Sequence, residues 1–436
     1  MGLASVRKIL VFLFCIIFAL PVQAASLIND TETERVITEL ITPLAKAADI
    51  PDGRLRVHIV NDNDFNAFVM GGEDVYVYTG LLKQIKSPDA LQAVVAHELG
   101  HTLGGHMAQM ADRMNAEMTR TMLIQALGIG LMALGGDPSM GAGVLAGSSG
   151  IAQQSMLAFT RDEERIADDM GLKLMIKAKL NPNGFIEVFE QMENMTGAFE
   201  SKINPNRINH PLTAERLSNV RAQIGKMDSG YRATNSPTDA QRAEYELVRA
   251  KLIGYLDNSD KVSILYPNSD TSDAALYARA ITRMQNGNLD GARVGTMSLI
   301  SRNPDNPYFY ELLGDIEYQL GHYDDSVDAY EESLKLVKDK SPQIETALAL
   351  VLTERNKPND KERAIELCKR SLLTQPAPLT YWVLARAYDD GRADWARAEY
   401  YHMIGKEDKA RDYAKRAQKS LKQGSPEYIK AGDLLK

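Results

Sequence analysis

The segment VVAHELGHTLGGH, residues 94–106, holds three of the seven histidines of this 436-residue chain. Within it, HELGH contains His97, Glu98 and His101. Residues four apart on a helix project from the same face, so both imidazoles can reach one metal ion. Two imidazoles beside a carboxylate that accepts a proton from a water are typical of a catalytic zinc site. Because chance matches to HExxH occur, a helix with two surface histidines is the alternative, and a third ligand is the test.

A longer form of the HExxH motif has a histidine as its third ligand, which would fall at position 107 of this chain. That position is Met107, so the longer motif is not present. His106 lies one residue earlier and would point away from the required vertex, so we expect it to lie behind a ligand or to be exposed. A better candidate is Glu164, in TRDEERIADDMG, which shares a helical stripe with Asp168 and Gly171. Two carboxylates on a core-facing stripe are costly to bury without positive partners. Zinc would satisfy Glu164, and the other ring nitrogen of a ligand histidine would satisfy Asp168.

Two acidic residues next to Glu164 do not lie on that helical stripe, so they are not expected to face the core. Asp162 and Glu163 fall off the stripe, so we expect both to be solvated. Taken alone, the segment TRDEERIADDMG could also be a surface helix whose charged side chains form salt bridges. Its occurrence downstream of HELGH favours the metal site.

Two long helices, around residues 88–125 and 156–179, are predicted to carry the two halves of this site. The first begins with clear signals, since Ser87 can cap it and Pro88 can occupy its first turn. Upstream, TETERVITELITPLAKAA predicts an amphipathic helix, and LRVHIV and DVYVYTG predict strands. The DVYVY strand is expected to pair with an extended substrate.

Residues 122–150, between the two site helices, are apolar and rich in glycine. This composition favours a mobile lid or a hairpin of two short helices over the site. Each arm is shorter than the roughly 18 residues of a membrane span. Contact of this segment with a membrane surface or a partner stays open.

The N-terminus predicts a secretory signal peptide, residues 1–24. Arg7 and Lys8 precede an apolar run, and small residues lead to a cleavage point after Ala24. An uncleaved anchor is the alternative, although the run is short for a span of about 20 residues. Cleavage would leave Cys368 as the single cysteine, which excludes an intrachain disulfide. The net charge of −8, without a basic cluster, argues against nucleic acid as a partner.

The mature chain is predicted to have three parts: a protease domain at 25–225, a polar linker at 226–240 and a helical region at 241–436. A 34-residue period marks the helical region, as in tetratricopeptide repeats, whose stacked helix pairs form concave binding surfaces. A non-repeating helical bundle is the alternative. The residues matched across the period are Ala280 with Gly314, Gly287 with Gly321, Ala292 with Ser326, and Pro304 with Lys338.

HELGH followed by ERIAD, residues 164–168, resembles the gluzincin family that includes HtpX and the CAAX prenyl proteases. The segment NAFVMGGEDVYVYTGLL, residues 66–82, is similar to a characteristic stretch of the same family. The resemblance covers roughly residues 30–225 and implies zinc at His97, His101 and Glu164, with Glu98 as general base. The fold it implies is mainly α with a small β-sheet. A gluzincin-type α+β domain would precede an all-α tetratricopeptide solenoid.

NHPLTAERL, residues 209–217, resembles an H-P-x-x-x-x-R segment that follows the catalytic helices in part of that family. The likeness implies that His210 is a fourth, inhibitory zinc ligand. It also implies that Arg216 lies near the site, where it could stabilise an oxyanion. From the residues alone, His210 is a histidine before a proline, and an ordinary loop residue is the alternative.

The resemblance implies a periplasmic endopeptidase with one zinc ion per chain. It would act on unfolded or stalled envelope polypeptides, and its repeats would bind the outer-membrane assembly machinery. A protein that serves chiefly as a chaperone or scaffold is the alternative. An inactive zinc site is disfavoured, because a structural zinc site does not need the glutamate of HExxH.

Overall fold

The computed structural model describes residues 26–106, 109, 112, 160–198, 210, 213–227, 230–338 and 340–436. The predicted signal peptide, residues 1–24, and the apolar segment 122–150 lie outside these ranges. No helix among the described residues is long and apolar enough to cross a lipid bilayer.

The first half of the chain combines a small sheet with helices packed on it. The predicted opening helix and both predicted strands are present, as are the first part of the helix predicted around 88–125 and most of the helix predicted around 156–179. A mainly α fold with a small sheet is therefore confirmed. The elements are β1 (Ser26–Ile28), α1 (Thr31–Ala47), β2 (Arg56–Asn61), β3 (Ala67–Met70), β4 (Asp74–Tyr78), α2 (Thr79–Gln84), α3 (Pro88–Leu103), α4 (Arg161–Lys177), α5 (Gly184–Ala198) and α6 (Ala214–Gly225).

The sheet has the order β1-β2-β4-β3. Strand β4 is therefore internal, parallel to β2 on one side and antiparallel to β3 on the other. The expectation that DVYVY pairs with a substrate is wrong, because its backbone groups are already bound on both sides. Strands β1 and β3 form the two edges of the sheet in the described part of the chain, and α3 contacts β3 directly.

Helices α3 and α4 form the frame of the candidate site. As predicted, Ser87 caps α3, accepting hydrogen bonds from the Asp89 and Ala90 amides. The two helices cross closely because glycine lies on both sides of the contact. A Cβ atom at Gly100 would lie 2.4 Å from the Ala167 carbonyl oxygen, and one at Gly171 would lie 2.8 Å from a backbone oxygen of α3. No side chain fits at either position without separating the helices.

The second half is helical, as predicted, and most of its helices pack against the next helix along the chain. Gly287 and Gly321, which are one 34-residue period apart, both adopt left-handed backbone conformations between helices, with φ of 76° and 78°. The elements are α7 (Asp239–Leu256), α8 (Ser259–Leu265), α9 (Asp273–Gln285), α10 (Leu289–Arg302), α11 (Pro307–Leu320), α12 (Tyr323–Leu336), α13 (Pro342–Arg355), α14 (Asp360–Thr374), α15 (Pro378–Ala387), α16 (Arg392–Met403), α17 (Glu407–Ser420) and α18 (Pro426–Asp433).

Helix α7 belongs to both halves of the molecule. Tyr245 and Val248 lie in the core of the first half, whereas Ile253 packs with α9. The preceding polar segment is also anchored, since the Tyr231 hydroxyl donates to the Leu180 carbonyl at 2.6 Å. The two halves are thus joined by a shared helix as well as by the predicted linker. The exact domain boundaries stay a prediction.

A cluster of buried charges lies where the halves meet. The Lys251 ammonium on α7 is 2.6 Å from Asp30 and 3.0 Å from Glu32 in the first half, and 3.8 Å from Glu311 on α11. The Tyr277 hydroxyl donates a further hydrogen bond to Glu32 at 3.1 Å. Three carboxylates around one ammonium cannot all ionise without repulsion. Burial raises the pKa of Glu32, and raises the pKa of Glu311 to about 8.

This cluster predicts a pH-dependent stability. Because Glu311 has a higher pKa in the folded chain than its ordinary value of 4.5, its stabilising contribution is complete below pH 4.5 and is lost as the pH rises towards 8. We expect the free energy of unfolding to fall by about 1 kcal/mol or more between pH 5 and pH 8, since one pKa unit corresponds to about 1.4 kcal/mol. Glu311→Gln should flatten this profile in urea denaturation. Parallel profiles for the two proteins would contradict the assignment.

Candidate metal centre

Four side chains from separate parts of the first half converge on one point. They are His97 and His101 on α3, Glu164 on α4, and His210, and their ligand atoms all lie within 4.8 Å of one another. The Nε2 atoms of His97 and His101 are 3.1 Å apart, and lie 3.4 and 3.6 Å from the Glu164 carboxylate. His210 Nδ1 is 3.3 Å from His97 Nε2 and 2.8 Å from Glu164.

These separations fit a tetrahedral zinc ion. Zinc bonds of about 2.0–2.1 Å place neighbouring ligand atoms roughly 3.3 Å apart. The measured distances of 2.8 to 3.6 Å lie on both sides of that value. Three imidazoles and one carboxylate are also a donor set that zinc accepts. The residues present therefore fit the metal that the sequence predicts.

Asp168 lies behind His97, where the sequence predicts it. The distance from His97 Nδ1 to Asp168 Oδ1 is 2.9 Å. Burial opposes protonation of His97, but the Asp168 and Glu164 carboxylates outweigh it and raise the pKa of His97 to about 10. A metal ion that binds Nε2 must displace a proton from this imidazole, which couples metal binding to proton release.

His106 lies behind His101 and is buried, so the alternative that it is exposed is wrong. The two Nδ1 atoms are 3.0 Å apart. Burial, followed by the neighbouring His97 and His210, lowers the pKa of His101. His101 is therefore neutral, as a metal ligand must be.

Arg216, on α6, connects the two carboxylates of α4. Its Nη1 atom is 2.6 Å from Glu164, while Nε and Nη2 donate to Asp168 at 2.7 and 2.8 Å. The guanidinium also lies over the ring of Phe189, 5.2 Å from its centre. These contacts favour a positioning role. The predicted contact with an oxyanion stays a prediction.

Glu98 is buried beside the ligand set. Burial raises its pKa, and the charges of His210 and His97 oppose this shift. Its Oε1 atom is 3.4 Å from His210 Nε2. The ring of His210 thus has one nitrogen in the ligand set and the other facing Glu98.

Asp162 is exposed, as predicted, but the expectation that Glu163 is also solvated is wrong. Glu163 is buried because it is part of a capping box at the start of α4. Its carboxylate accepts from the Thr160 amide at 2.8 Å, while the Thr160 hydroxyl accepts from the Glu163 amide at 3.2 Å. This reciprocal cap is a local signal that the stripe analysis missed.

The remaining histidines lie away from the centre. His58 is partly buried beside Asp74, 2.7 Å away, which agrees with a structural role. His322 and His402, in the repeats, have half-exposed side chains and pair with Glu317 and Glu407.

Comparison with known proteins agrees with this geometry. Residues 30–224 match the model of peptidase family M48, and residues 277–343 match a tetratricopeptide repeat model. The chain carries a peptidase family M48 domain. It is therefore a metallopeptidase with tetratricopeptide repeats, which confirms the resemblance seen in the sequence.

Several named proteins are similar to this chain. The beta-barrel assembly-enhancing protease of Escherichia coli O157:H7 is 26% identical over 92% of this chain and 82% of its own length. The corresponding protein of Yersinia pestis is 25% identical over 93% of this chain and 83% of its own length. The mitochondrial metalloendopeptidase OMA1 of Schizosaccharomyces pombe is 28% identical over 43% of this chain and 52% of its own length.

The contacts of Arg216 predict a large effect on stability. Arg216→Met leaves two buried carboxylates without their cation, which should lower the free energy of unfolding by about 3 kcal/mol. Arg221→Met is the matched control on the same helix. Its ion pair with Glu190 is half-exposed on both sides, so we expect a loss below about 1 kcal/mol. Urea denaturation of the metal-free proteins measures both, and equal losses would contradict the role given to Arg216.

Proposed function

We propose that this metallopeptidase is a periplasmic, zinc-dependent endopeptidase that cleaves misfolded or stalled envelope proteins and is restrained by its own His210. The observation that carries the proposal is the set of four ligand atoms with tetrahedral spacing, beside the buried Glu98. The relatives named beta-barrel assembly-enhancing protease support a role in outer-membrane protein assembly.

The residues around the metal have distinct tasks in peptide hydrolysis. A bound zinc supplies a Lewis acid, which polarises the scissile carbonyl and makes a water more acidic. Glu98 accepts the proton of the attacking water and later gives it to the leaving amine. Burial raises the pKa of Glu98, which makes its carboxylate a stronger acceptor for the proton of the attacking water. Asp168 orients His97, and Arg216 in turn holds Asp168 and Glu164.

His210 obstructs this chemistry where it lies. Its ring spans the gap between the ligand set and Glu98, with Nδ1 2.8 Å from Glu164 and Nε2 3.4 Å from Glu98. A water and a substrate carbonyl need the same space. His210 is also the one member of the set that is partly exposed, so it can leave more easily than the three buried ligands. Hydrolysis then requires that His210 move.

The edge strand β3 offers a route for substrate binding. Its outer edge is unpaired among the described strands, and it lies against α3, which carries the site. An extended polypeptide can add to such an edge through backbone hydrogen bonds. Folded proteins seldom present a free extended segment, so this mode favours unfolded or stalled chains.

The repeats support a second candidate function, in which the chain acts chiefly as a chaperone or scaffold. Stacked helix pairs of this type form surfaces for other proteins. The outer-membrane assembly machinery is the partner suggested by the names of the relatives. Under this alternative, the restrained site would contribute little.

Glu98→Gln separates the two candidates. Glutamine keeps the shape of the side chain but cannot accept the proton, so casein hydrolysis by the zinc-loaded protein should fall about 100-fold or more. Zinc content should stay at one ion per chain, measured by atomic absorption. The same variant should fail to restore outer-membrane protein assembly in cells that lack the wild-type chain. Full restoration would favour the scaffold and would contradict a function based on proteolysis.

His210→Ala tests the restraint. Three ligands remain after this change, which is the number typical of catalytic zinc sites, so zinc should be retained. We expect casein hydrolysis to rise several-fold because the space beside Glu98 is vacated. His402→Ala, which removes a half-exposed histidine in the repeats, is the control and should leave the rate unchanged. Slower hydrolysis by His210→Ala would mean that His210 assists the reaction.

A further inference from the structure

The two metal-binding histidines of α3 are backed by chemically different partners. His97 Nδ1 faces an anionic carboxylate, Asp168, at 2.9 Å. His101 Nδ1 faces another imidazole, the Nδ1 atom of His106, at 3.0 Å. A carboxylate can only accept a proton from its partner, whereas a neutral imidazole accepts at one nitrogen and donates at the other. The identity of the backing residue therefore determines how His101 is held.

The position of His106 is formed by the turn that ends α3. Gly105, with φ of 70°, reverses the chain so that the imidazole of His106 returns over the helix end. A Cβ atom at Gly104 would lie 2.6 Å from His106 Nε2. Gly104 itself has an ordinary φ of −72°, so its backbone does not require glycine. The ring of His106 is what leaves no room for a side chain at Gly104.

We propose that His106 is a positioning residue of the metal centre. It accepts the Nδ1 hydrogen of His101, which fixes the tautomer that leaves the lone pair of His101 Nε2 free for the metal. His106 then carries its own proton on Nε2. This inference rests on the zinc centre proposed above and extends it to a residue outside the HExxH motif.

A neutral backing residue suits the charge of this site. Glu164 is already a ligand, and Asp168 and Glu98 are buried within the same group of side chains. A second carboxylate behind His101 would add another buried negative charge and would make the metal a weaker Lewis acid. His106 orients the ligand without either effect.

The zinc affinity of the full-length chain tests the proposal, measured by competition with a chromophoric chelator at constant pH. His106→Leu removes the acceptor but keeps a buried side chain, and should weaken zinc binding by about 10- to 100-fold. His106→Asn offers an amide oxygen close to the place of Nδ1, and should recover most of this loss. His402→Leu is the control, with wild-type affinity expected. Circular dichroism confirms that each variant keeps its helical content.

Gly104→Ala gives a second route that leaves His106 in the chain. The added methyl group should displace the imidazole and weaken zinc binding in the same direction, even if His106→Leu fails to fold. Wild-type affinity in both His106→Leu and Gly104→Ala would overturn the proposal. Equal losses in His106→Leu and His106→Asn would also overturn it, because the effect would then be one of packing. A wild-type chain that binds no zinc would instead overturn the metal centre itself.

Discussion

The close crossing of α3 and α4 is the constraint on which the site depends. Gly100 and Gly171 allow the two backbones to approach until a single Cβ atom would collide with a carbonyl oxygen. Only at this distance can Glu164 on one helix reach the ligand atoms of His97 and His101 on the other. The glycine in HELGH thus has a structural task as definite as the chemical task of its neighbours. The strand β3 and the helices α1 and α5 pack on α3, while α1 and α6 pack on α4, so these elements cover the outer faces of the pair.

Charge is the second constraint, because the same crossing buries three carboxylates: Glu98, Glu164 and Asp168. Arg216 compensates two of them from α6, and the imidazoles and the metal would compensate the remainder. This balance explains why a helix outside the catalytic pair is needed to complete the site. It also explains how His210 can lie there with the metal-binding groups, since its ring contacts both Glu164 and Glu98. Under the proposed function, activity and restraint would depend on the same group of charges.

Much of the site could be predicted from the sequence, because its key spacings are local. His97 and His101, like Glu164 and Asp168, are four residues apart, and helical geometry alone places each pair on one face. Contacts formed across the chain were harder to predict. The order of strands in the sheet depends on long-range pairing, which is why DVYVY was expected to pair with a substrate although β2 and β3 already lie on both its sides.

Two other features of the site have local causes of a kind that periodicity does not detect. Glu163 is buried by a capping box with Thr160, and His106 is turned inwards by the left-handed conformation of Gly105. His210 and Arg216 were expected near the site only through a family resemblance. Their own spacing does not relate them to the other residues of the site. His210, for example, lies more than a hundred positions along the chain from His97.

X-ray absorption spectroscopy at the zinc edge is the most direct test of the central claim, that His97, His101, Glu164 and His210 bind one zinc ion. For the zinc-loaded wild-type chain, we expect a four-coordinate shell of nitrogen and oxygen at about 2.0 Å. The outer shell should contain three imidazoles in the wild type and two in His210→Ala. A six-coordinate oxygen shell, a sulfur ligand, or an outer shell with fewer than two imidazoles would contradict the account.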